Sequence, residues 1–345
     1  MEIKLGTALA ILGGVVLLAL ALHSWWSTRR LQPKKAAGDS VLQADRVEPA
    51  LGAAPAEDPI EVPPALRQPP RRLPRVDALI DAIVPLALEA PIAGELALQH
   101  LPPSRRAGSK PFYVEGLNAE TGEWEVPQPG QRYGELQAGL QLASRSGALN
   151  EIEYSEFVQK IEPFAEAIGA SADVPDMLEV VARARELDGL AGPLDAQLTI
   201  TLRANAVAWS VAYVQQVAAR LGFVPGAVPG RLVLPSSEDA APPVLVLGVD
   251  SQAALAEEPQ GSAVRECTLT LDVPQTPAAA EPFPAWHRAA TQLAEDLDAT
   301  AIDDQGQPIT LHAYAGIGNE LQGLYARLEA LDLAAGSAAA RRLFS

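Results

Sequence analysis

The chain has 345 residues, which is enough for a membrane anchor and about two domains. Its formal net charge is −17, and residues 76–345 hold 16 Lys and Arg against 36 Asp and Glu, a net charge of −20. An acidic surface of this kind repels nucleic acid. The single cysteine, Cys267, excludes an internal disulfide.

The first feature along the chain is an uncharged apolar stretch, LGTALAILGGVVLLALAL (residues 5–22). As a helix that rises about 1.5 Å per residue, it spans a bilayer once the next few residues are included. The following WWSTRR (residues 25–30) supplies tryptophans for the headgroup layer and arginines for the cytoplasmic side. A cleaved signal peptide is the alternative. Signal peptides have basic residues before the apolar stretch and a small-residue cleavage site after it. Here the arginines follow the apolar stretch. We therefore predict a transmembrane anchor at 5–26.

Residues 27–74 are rich in proline and alanine and have no hydrophobic periodicity. Seven prolines lie between positions 55 and 74, which prevents a stable helix or a central strand. This composition predicts a disordered linker between the anchor and the globular part.

From residue 193 onward, strand and helix patterns alternate. AQLTITLRA (196–204) and ECTLTLDVP (266–274) alternate apolar and polar residues, as half-buried strands do. Further strands are predicted at 230–236 and 243–251, helices at 206–223, 282–299 and 320–333, and a hairpin at 300–310. The order β-α-β-β-β-α-β-β-α predicts an α+β sandwich, an antiparallel sheet with helices on one face.

Two segments of the chain resemble each other. Residues 140–170 align without gaps on residues 269–299, and VVARARELDGLAG (180–192) aligns with LYARLEALDLAAG (324–336). Strand, loop, helix and final helix recur in the same order, which indicates a duplication. The alternative is that amphipathic helices look alike because each buries one face. The predicted organisation is a first α+β unit at 75–192, a second at 193–336 and a flexible tail at 337–345.

The most acidic stretch is LAEDLDATAIDDQGQPIT (residues 293–310), which contains Glu295, Asp296, Asp298, Asp303 and Asp304. Its spacing differs from that of a calcium loop, which needs alternating Asp or Asn, a glycine and a distal glutamate. The pair Asp303-Asp304 precedes Gln305-Gly306, so the stretch predicts a helix end followed by a hairpin turn.

The rest of the chain has no catalytic motif. It contains no P-loop, no G-x-G-x-x-G and no G-x-S-x-G, and its four histidines have no local ligand spacing. Cys267 alternates with leucines and is predicted to be a core thiol. We therefore expect a non-enzymatic protein with no catalytic residue, no metal and no cofactor.

The anchor, the linker and the terminal α+β unit together resemble the ZipA family of bacterial cell-division proteins. The resemblance rests on the strand TLTLDVP (268–274) and on the helix–strand–hairpin segment 293–310 with its Ile302-Asp303-Asp304. It covers residues 196–333, the anchor and the linker, so that the first unit is interpreted as a diverged copy. The resemblance implies a single-pass protein of the bacterial inner membrane, with a periplasmic N-terminus and cytoplasmic C-terminal domains. The implied partners are the lipid bilayer, the C-terminal peptide of FtsZ and other proteins of the division machinery.

ZipA-like proteins hold the FtsZ peptide against an exposed, largely apolar sheet face, so the strand alternation indicates where the partner would bind. The outward residues of the second unit are largely polar: Thr199, Thr201, Arg203, Val233, Thr270 and Asp272. The alternative site lies on the first unit, where the predicted strand 76–88 carries apolar residues on both sides. That site comprises Leu79, Ile83, Tyr113 and Trp124. Burial of these four residues between the two copies is an equally good interpretation.

Two other functions are compatible with the pattern. The first is a membrane-anchored scaffold of another envelope complex that makes no contact with FtsZ. The second is an RNA binder, because the predicted topology resembles an RNA-recognition domain. It is disfavoured, since no aromatic pair lies on the open sheet face and the net charge opposes RNA.

Overall fold

The computed structural model describes residues 75–238, 241–250 and 263–345. Within these ranges the chain forms two compact units. The first unit comprises residues 75–194 together with Ala338–Ser345, and the second comprises residues 195–337. The predicted anchor at 5–26 and the predicted linker at 27–74 lie outside the described residues.

The fold class predicted from the sequence needs a correction. It included a transmembrane helix, whereas no helix in the described part of the chain is long and apolar enough to cross a membrane. What the structure shows is an α+β protein whose sheets are built from antiparallel strands.

The first unit contains eight strands and four α-helices within the described residues. In chain order these elements are β1 (Asp81–Ala93), α1 (Gly94–His100), β2 (Arg106–Ala107), β3 (Lys110–Asn118), β4 (Trp124–Glu125), β5 (Arg132–Gln141), β6 (Ala143–Ser144), β7 (Gly147–Ala148), α2 (Glu151–Ala167), β8 (Ala170–Ala172) and α3 (Met177–Ala191). The helix α7 (Ala338–Leu343), the last element of the chain, completes this unit.

The main sheet of the first unit has the order β2-β3-β5-β1-β8, and β4 pairs with β3. In the register of the sheet, Ala82 pairs with Leu140, which pairs with Phe112. The Phe112 ring packs edge-on against Phe157 of α2, with 5.3 Å between ring centroids. Directly paired residues share a face, so α2 covers the face that carries Ala82, Leu140 and Phe112. The main core of the unit lies between this face and the helix.

The strand predicted at 76–88 begins later than expected. Asp77 opens a turn, because its side chain accepts a hydrogen bond from the backbone N–H of Leu79 at 2.9 Å and its carbonyl accepts from Ile80 and Asp81. An aspartate that binds backbone two residues ahead favours a turn over a strand. Leu79 therefore lies in a turn, 37% exposed, and β1 runs from Asp81 to Ala93.

The second unit contains eight strands and three α-helices within the described residues. These are β9 (Gln197–Ala204), β10 (Trp209–Ser210), α4 (Val211–Arg220), β11 (Val224–Pro225), β12 (Arg231–Leu234), β13 (Leu245–Val249), β14 (Ala263–Val264), β15 (Glu266–Asp272), α5 (Pro282–Leu297), β16 (Ala299–Ile302) and α6 (Leu311–Ala330). Six of the strands form one sheet in the order β11-β12-β13-β15-β9-β16, and β10 pairs with β14.

The alternation predicted for the two long strands of this sheet is confirmed. Ile200, Leu202, Leu269 and Leu271 are each at most 1% exposed, whereas the residues between them are exposed or half-buried. Trp286 of α5 is fully buried, and its Nε1 donates to the carbonyl of Leu269 at 3.4 Å. The helix α5 therefore covers the leucine face, and the opposite face of the sheet points away from it.

The two main sheets share the order of their central elements. In the first unit β1 lies between β5 and β8; β5 is the last long strand before α2 in the chain, and β8 follows α2. In the second unit β9 lies between β15 and β16, and α5 connects them. In both units the first long strand is thus flanked by the last main-sheet strand before the long helix and by the strand after it. The predicted internal repeat requires such an arrangement.

Two helices of the second unit begin at different residues from those predicted. The helix predicted from residue 206 starts at Val211, because the Ser210 side chain caps it by accepting from a backbone N–H. The helix predicted from residue 320 starts nine residues earlier at Leu311, where Thr310 is the capping residue. Hydroxyl side chains satisfy the free N–H groups of a first helical turn, so they decide where a helix begins.

The end of the chain differs from the flexible tail predicted at 337–345. Residues Ala338–Leu343 form α7, and Ala340, Leu343 and Phe344 are at most 2% exposed. The buried apolar side chains and a buried ion pair with β1 hold this segment in the first unit.

Candidate functional site

The sheet face of the second unit that points away from α5 carries the predicted partner-binding residues. We call it the open face; its residues include Gln197, Thr199, Thr201, Arg203, Val224, Arg231, Val233, Val246, Gly248, Glu266, Thr268, Thr270 and Asp272. The in-register strand pairs place these residues side by side, so all six residues predicted for this site lie on one surface.

Polar pairs run along β9 and β15 on the open face. Three of them are hydrogen-bonded across the strands: Gln197 Nε2 to Asp272 Oδ2 at 3.3 Å, Thr199 Oγ1 with Thr270 Oγ1 at 3.1 Å, and Arg203 Nε to Glu266 Oε1 at 2.7 Å. The Arg203 and Glu266 side chains are each about half exposed. This polar ladder confirms the polar character that the strand alternation predicted for this part of the face.

The open face also has an apolar part, which the sequence analysis recognised only at Val233. The row that starts at the Thr199–Thr270 pair continues across the sheet through Val246, Val233 and Val224. Val224 is 45% exposed, and the other two valines are half-buried. We call these three residues the valine patch. The pattern in each strand was visible in the sequence, but the row exists only in the register of five strands.

A cleft of about 460 Å³ opens at one end of the open face. Gly248 forms part of its floor, and a Cβ at this position would lie 2.9 Å from Thr268 Oγ1, so the glycine leaves a notch in the surface. The charged residues at the cleft are Arg231, Asp250 and Glu266. The open face thus combines an apolar patch, a polar ladder and a recess with charges of both signs. Such a surface suits an extended peptide that has apolar anchors.

The four residues of the alternative site do not form one surface. Ile83 pairs with Gly139, which pairs with Tyr113, so these positions share a face of the first sheet. Trp124 lies farther along the same face, beside Leu117. Leu79 lies in the turn before β1.

The chain itself covers part of this first-unit face. A Cβ on Gly139 would lie 2.7 Å from Cγ1 of Val76, so the valine packs directly over the glycine between Ile83 and Tyr113. The guanidinium of Arg342 lies 4.6 Å from the centre of the Tyr113 ring. The segment near residue 76 and the C-terminal helix thus occupy positions that the sequence analysis considered for a partner.

Three charged residues on this face were missed by the sequence analysis. Asp81 and Glu115 are fully buried, and Arg342 pairs with Asp81. Burial raises the pKa of the Asp81 carboxyl, and the hydrogen bond and charge of Arg342 oppose that rise. Glu115 accepts a hydrogen bond from the backbone N–H of Val76 at 3.2 Å. In the sequence, the signal for this ion pair is an aspartate inside an apolar strand, because a buried carboxylate needs a partner.

The acidic stretch at 293–310 forms the predicted turn. Asp303 Oδ1 accepts from the backbone N–H groups of Gln305 and Gln307 at 2.9 and 2.8 Å, and Gly306 has a φ of 76°. Asp298 ends α5 in a left-handed conformation. In the part of the chain that the structure describes, no group of three or more His, Cys, Asp or Glu side chains is placed to hold a metal ion.

Cys267 lies in the core, as its alternation with leucines predicted. It is 2% exposed, and burial raises the pKa of its thiol to about 12. A thiol with this pKa stays protonated at neutral pH and is a poor nucleophile. His287 packs against the Tyr314 ring with 4.3 Å between ring centroids.

No family model matches this chain, and no curated protein matches it.

Proposed function

We propose that the protein is a non-enzymatic adaptor of bacterial cell division, which binds the C-terminal tail of FtsZ and tethers it at the inner membrane. The observation that carries the proposal is the open face of the second unit. There the valine patch lies in one row with Thr199 and Thr270. The helix α5 packs on the opposite face of the sheet and does not cover this row.

The open face supplies the two kinds of contact that a short peptide needs. Full burial of a valine side chain contributes roughly 1.5–3 kcal/mol, so three partly exposed valines contribute a part of the roughly 8 kcal/mol of a micromolar complex. Backbone and side-chain contacts with the polar ladder would contribute the rest and set the register of the peptide. The mixed surface therefore favours a peptide in which apolar anchors alternate with polar residues.

The first unit is a weaker candidate for this role. Val76 and Arg342 already lie over the row that contains Ile83 and Tyr113. A peptide would have to displace them before it reached the sheet. We therefore place the FtsZ-binding site on the open face of the second unit.

The proposed location at the inner membrane rests on the resemblance of residues 196–333 to the ZipA family, which implies an inner-membrane protein whose C-terminal domains lie in the cytoplasm.

The test is a titration of the full chain, purified in detergent, against a fluorescently labelled FtsZ C-terminal peptide, followed by anisotropy. We expect saturable binding that Val246→Glu weakens by about tenfold or more, because the substitution puts a charge into the valine patch. Leu178→Glu is the matched control, since Leu178 is 72% exposed on α3 of the first unit. Binding that persists in Val246→Glu would place the site elsewhere. No saturation at high micromolar peptide would remove the FtsZ role and leave a scaffold of another envelope complex.

A further inference from the structure

The last eight residues of the chain belong to the first unit, although the residues just before them belong to the second. We call residues 338–345 the tail segment. It consists of α7 followed by Phe344 and Ser345. Leu343 and Phe344 are 2% and 1% exposed, so the segment inserts two large apolar side chains into the first unit.

The tail segment contacts the sheet face that points away from α2. Asp81, Tyr113 and Gln141 lie on this face, because their neighbours Ala82, Phe112 and Leu140 point toward α2. This face of the first sheet is the counterpart of the open face of the second sheet, since each lies opposite the long helix of its unit.

Arg342 is the centre of the contact. Its Nη1 donates to Asp81 Oδ2 at 2.9 Å, and its Nη2 donates to the other carboxylate oxygen. Its guanidinium lies 4.6 Å from the centre of the Tyr113 ring. Gln141 Nε2 donates to the carbonyl of Arg342 at 2.8 Å. Peptide-binding sites recognise an arginine by contacts of these kinds: a bidentate ion pair, an aromatic ring against the guanidinium and a hydrogen bond to the backbone.

We propose that this face of the first unit is a peptide-recognition site for an arginine followed by two apolar residues, and that the chain's own C-terminus is its resident, exchangeable ligand. We call it the tail site; it is formed by Asp81, Tyr113 and Gln141.

The burial of Asp81 gives the tail site its selectivity. The carboxyl is fully buried, so a departing Arg342 would leave a desolvated negative charge without its cation. Any competing ligand must therefore bring a cation to the same place. Exchange requires that the tail segment open locally while the rest of the first unit stays folded.

This inference does not depend on the proposed FtsZ role, since it concerns a different unit and a different ligand. The test compares the full chain with a chain that ends at Ser337, each titrated with the labelled peptide GSAAARRLFS (residues 336–345). We expect saturable binding to the shortened chain and at least about tenfold weaker apparent binding to the full chain, because its own tail competes.

Two substitutions in the peptide test the chemistry. Arg342→Glu should weaken binding to the shortened chain by about a hundredfold, since it opposes Asp81 with a like charge. Ala338→Ser is the control and should bind as the parent peptide does, because Ala338 is exposed. A folded shortened chain that binds no peptide, or binds the Arg342→Glu peptide equally well, would overturn the proposal.

A second measurement on the full chain applies if the shortened chain does not fold. Hydrogen exchange should show the amides of the tail segment opening at least about a hundredfold faster than those of β5, as expected for local release. Excess unlabelled parent peptide should further accelerate exchange of the tail-segment amides and leave exchange of the β5 amides unchanged. If the amides of the tail segment exchange hydrogen at the same rate as those of β5, the tail segment is an integral part of the core and the proposal is overturned.

Discussion

The guanidinium of Arg342 hydrogen-bonds both carboxylate oxygens of Asp81, a residue 261 positions earlier in the chain. The Asp81 side chain is fully buried, and the Arg342 side chain is 14% exposed. The pair therefore joins the last helix to the first strand of the same unit in a place with little water. Pairs of this kind matter chiefly because loss of one partner leaves the other buried without a counter-charge.

Replacing Arg342 with alanine should destabilise the protein strongly. Removal of one partner of a buried pair typically costs about 3–5 kcal/mol, and the contact with the Tyr113 ring is lost as well. Urea unfolding followed by circular dichroism measures the change. The control is Arg185→Ala, which removes an exposed ion pair with Glu151 and should cost less than about 1 kcal/mol. Equal losses in the two variants would contradict the buried character of the Asp81 pair.

The loss of unfolding free energy in Arg342→Ala should depend on pH in a defined direction. The pKa of Asp81 is raised from 3.8 by burial, while Arg342 opposes the rise. The folded state therefore favours the protonated carboxyl, so this stabilisation is complete below pH 3.8 and is lost as the pH rises through the folded-state pKa. Without Arg342 this pKa rises further. The deficit of Arg342→Ala in unfolding free energy should therefore shrink as the pH falls from about 7 to about 4. A constant deficit over this range would argue against titration of Asp81.

The polar ladder of the open face should contribute little to stability. The Arg203–Glu266 pair is about half exposed on both sides, and exposed pairs typically contribute about 0–1 kcal/mol. We expect Arg203→Ala to change the free energy of unfolding by less than about 1 kcal/mol. A larger loss in urea unfolding would mean that this face is packed rather than open.

The substitution Gly139→Ala should destabilise the protein while Val76 is present. A Cβ at Gly139 would lie 2.7 Å from Val76 Cγ1, and overpacking of this kind typically costs about 1–3 kcal/mol. Adding Val76→Ala should recover part of the loss, which a double-mutant cycle in urea unfolding measures. Gly134→Ala is the matched control on the same strand, because a Cβ there meets no atom within 4 Å. Strictly additive losses in the cycle would show that the two residues do not touch.

Cys267 should be chemically inert in the folded protein. Burial raises the pKa of its thiol to about 12 and leaves the residue 2% exposed. A thiol-specific chromogenic reagent at about pH 8 should therefore react slowly with the native chain and rapidly after unfolding in urea. Rapid stoichiometric reaction in the absence of urea would place the thiol at the surface.

The features that the sequence predicted well depend on neighbouring residues. The alternation around Ile200 and Leu269 assigned each residue to a face of the sheet, because side chains of a strand alternate with a period of two. The turn at Asp303 followed from an aspartate before a glycine, which bonds its own backbone. The first strand begins later than its apolar pattern predicts, because the side chain of Asp77 forms a turn with the backbone two residues ahead.

By itself, the sequence determined the strand faces, the long helix α5, the hairpin turn and the core position of Cys267, since each depends on contacts within a few residues. The tertiary structure alone decided the valine patch, which needs the register of separate strands, and the Asp81–Arg342 pair, which joins the two ends of the described chain. Pairing across such distances is set by the packing of whole units. Local periodicity carries no information about it, and so the C-terminal residues looked like a free tail.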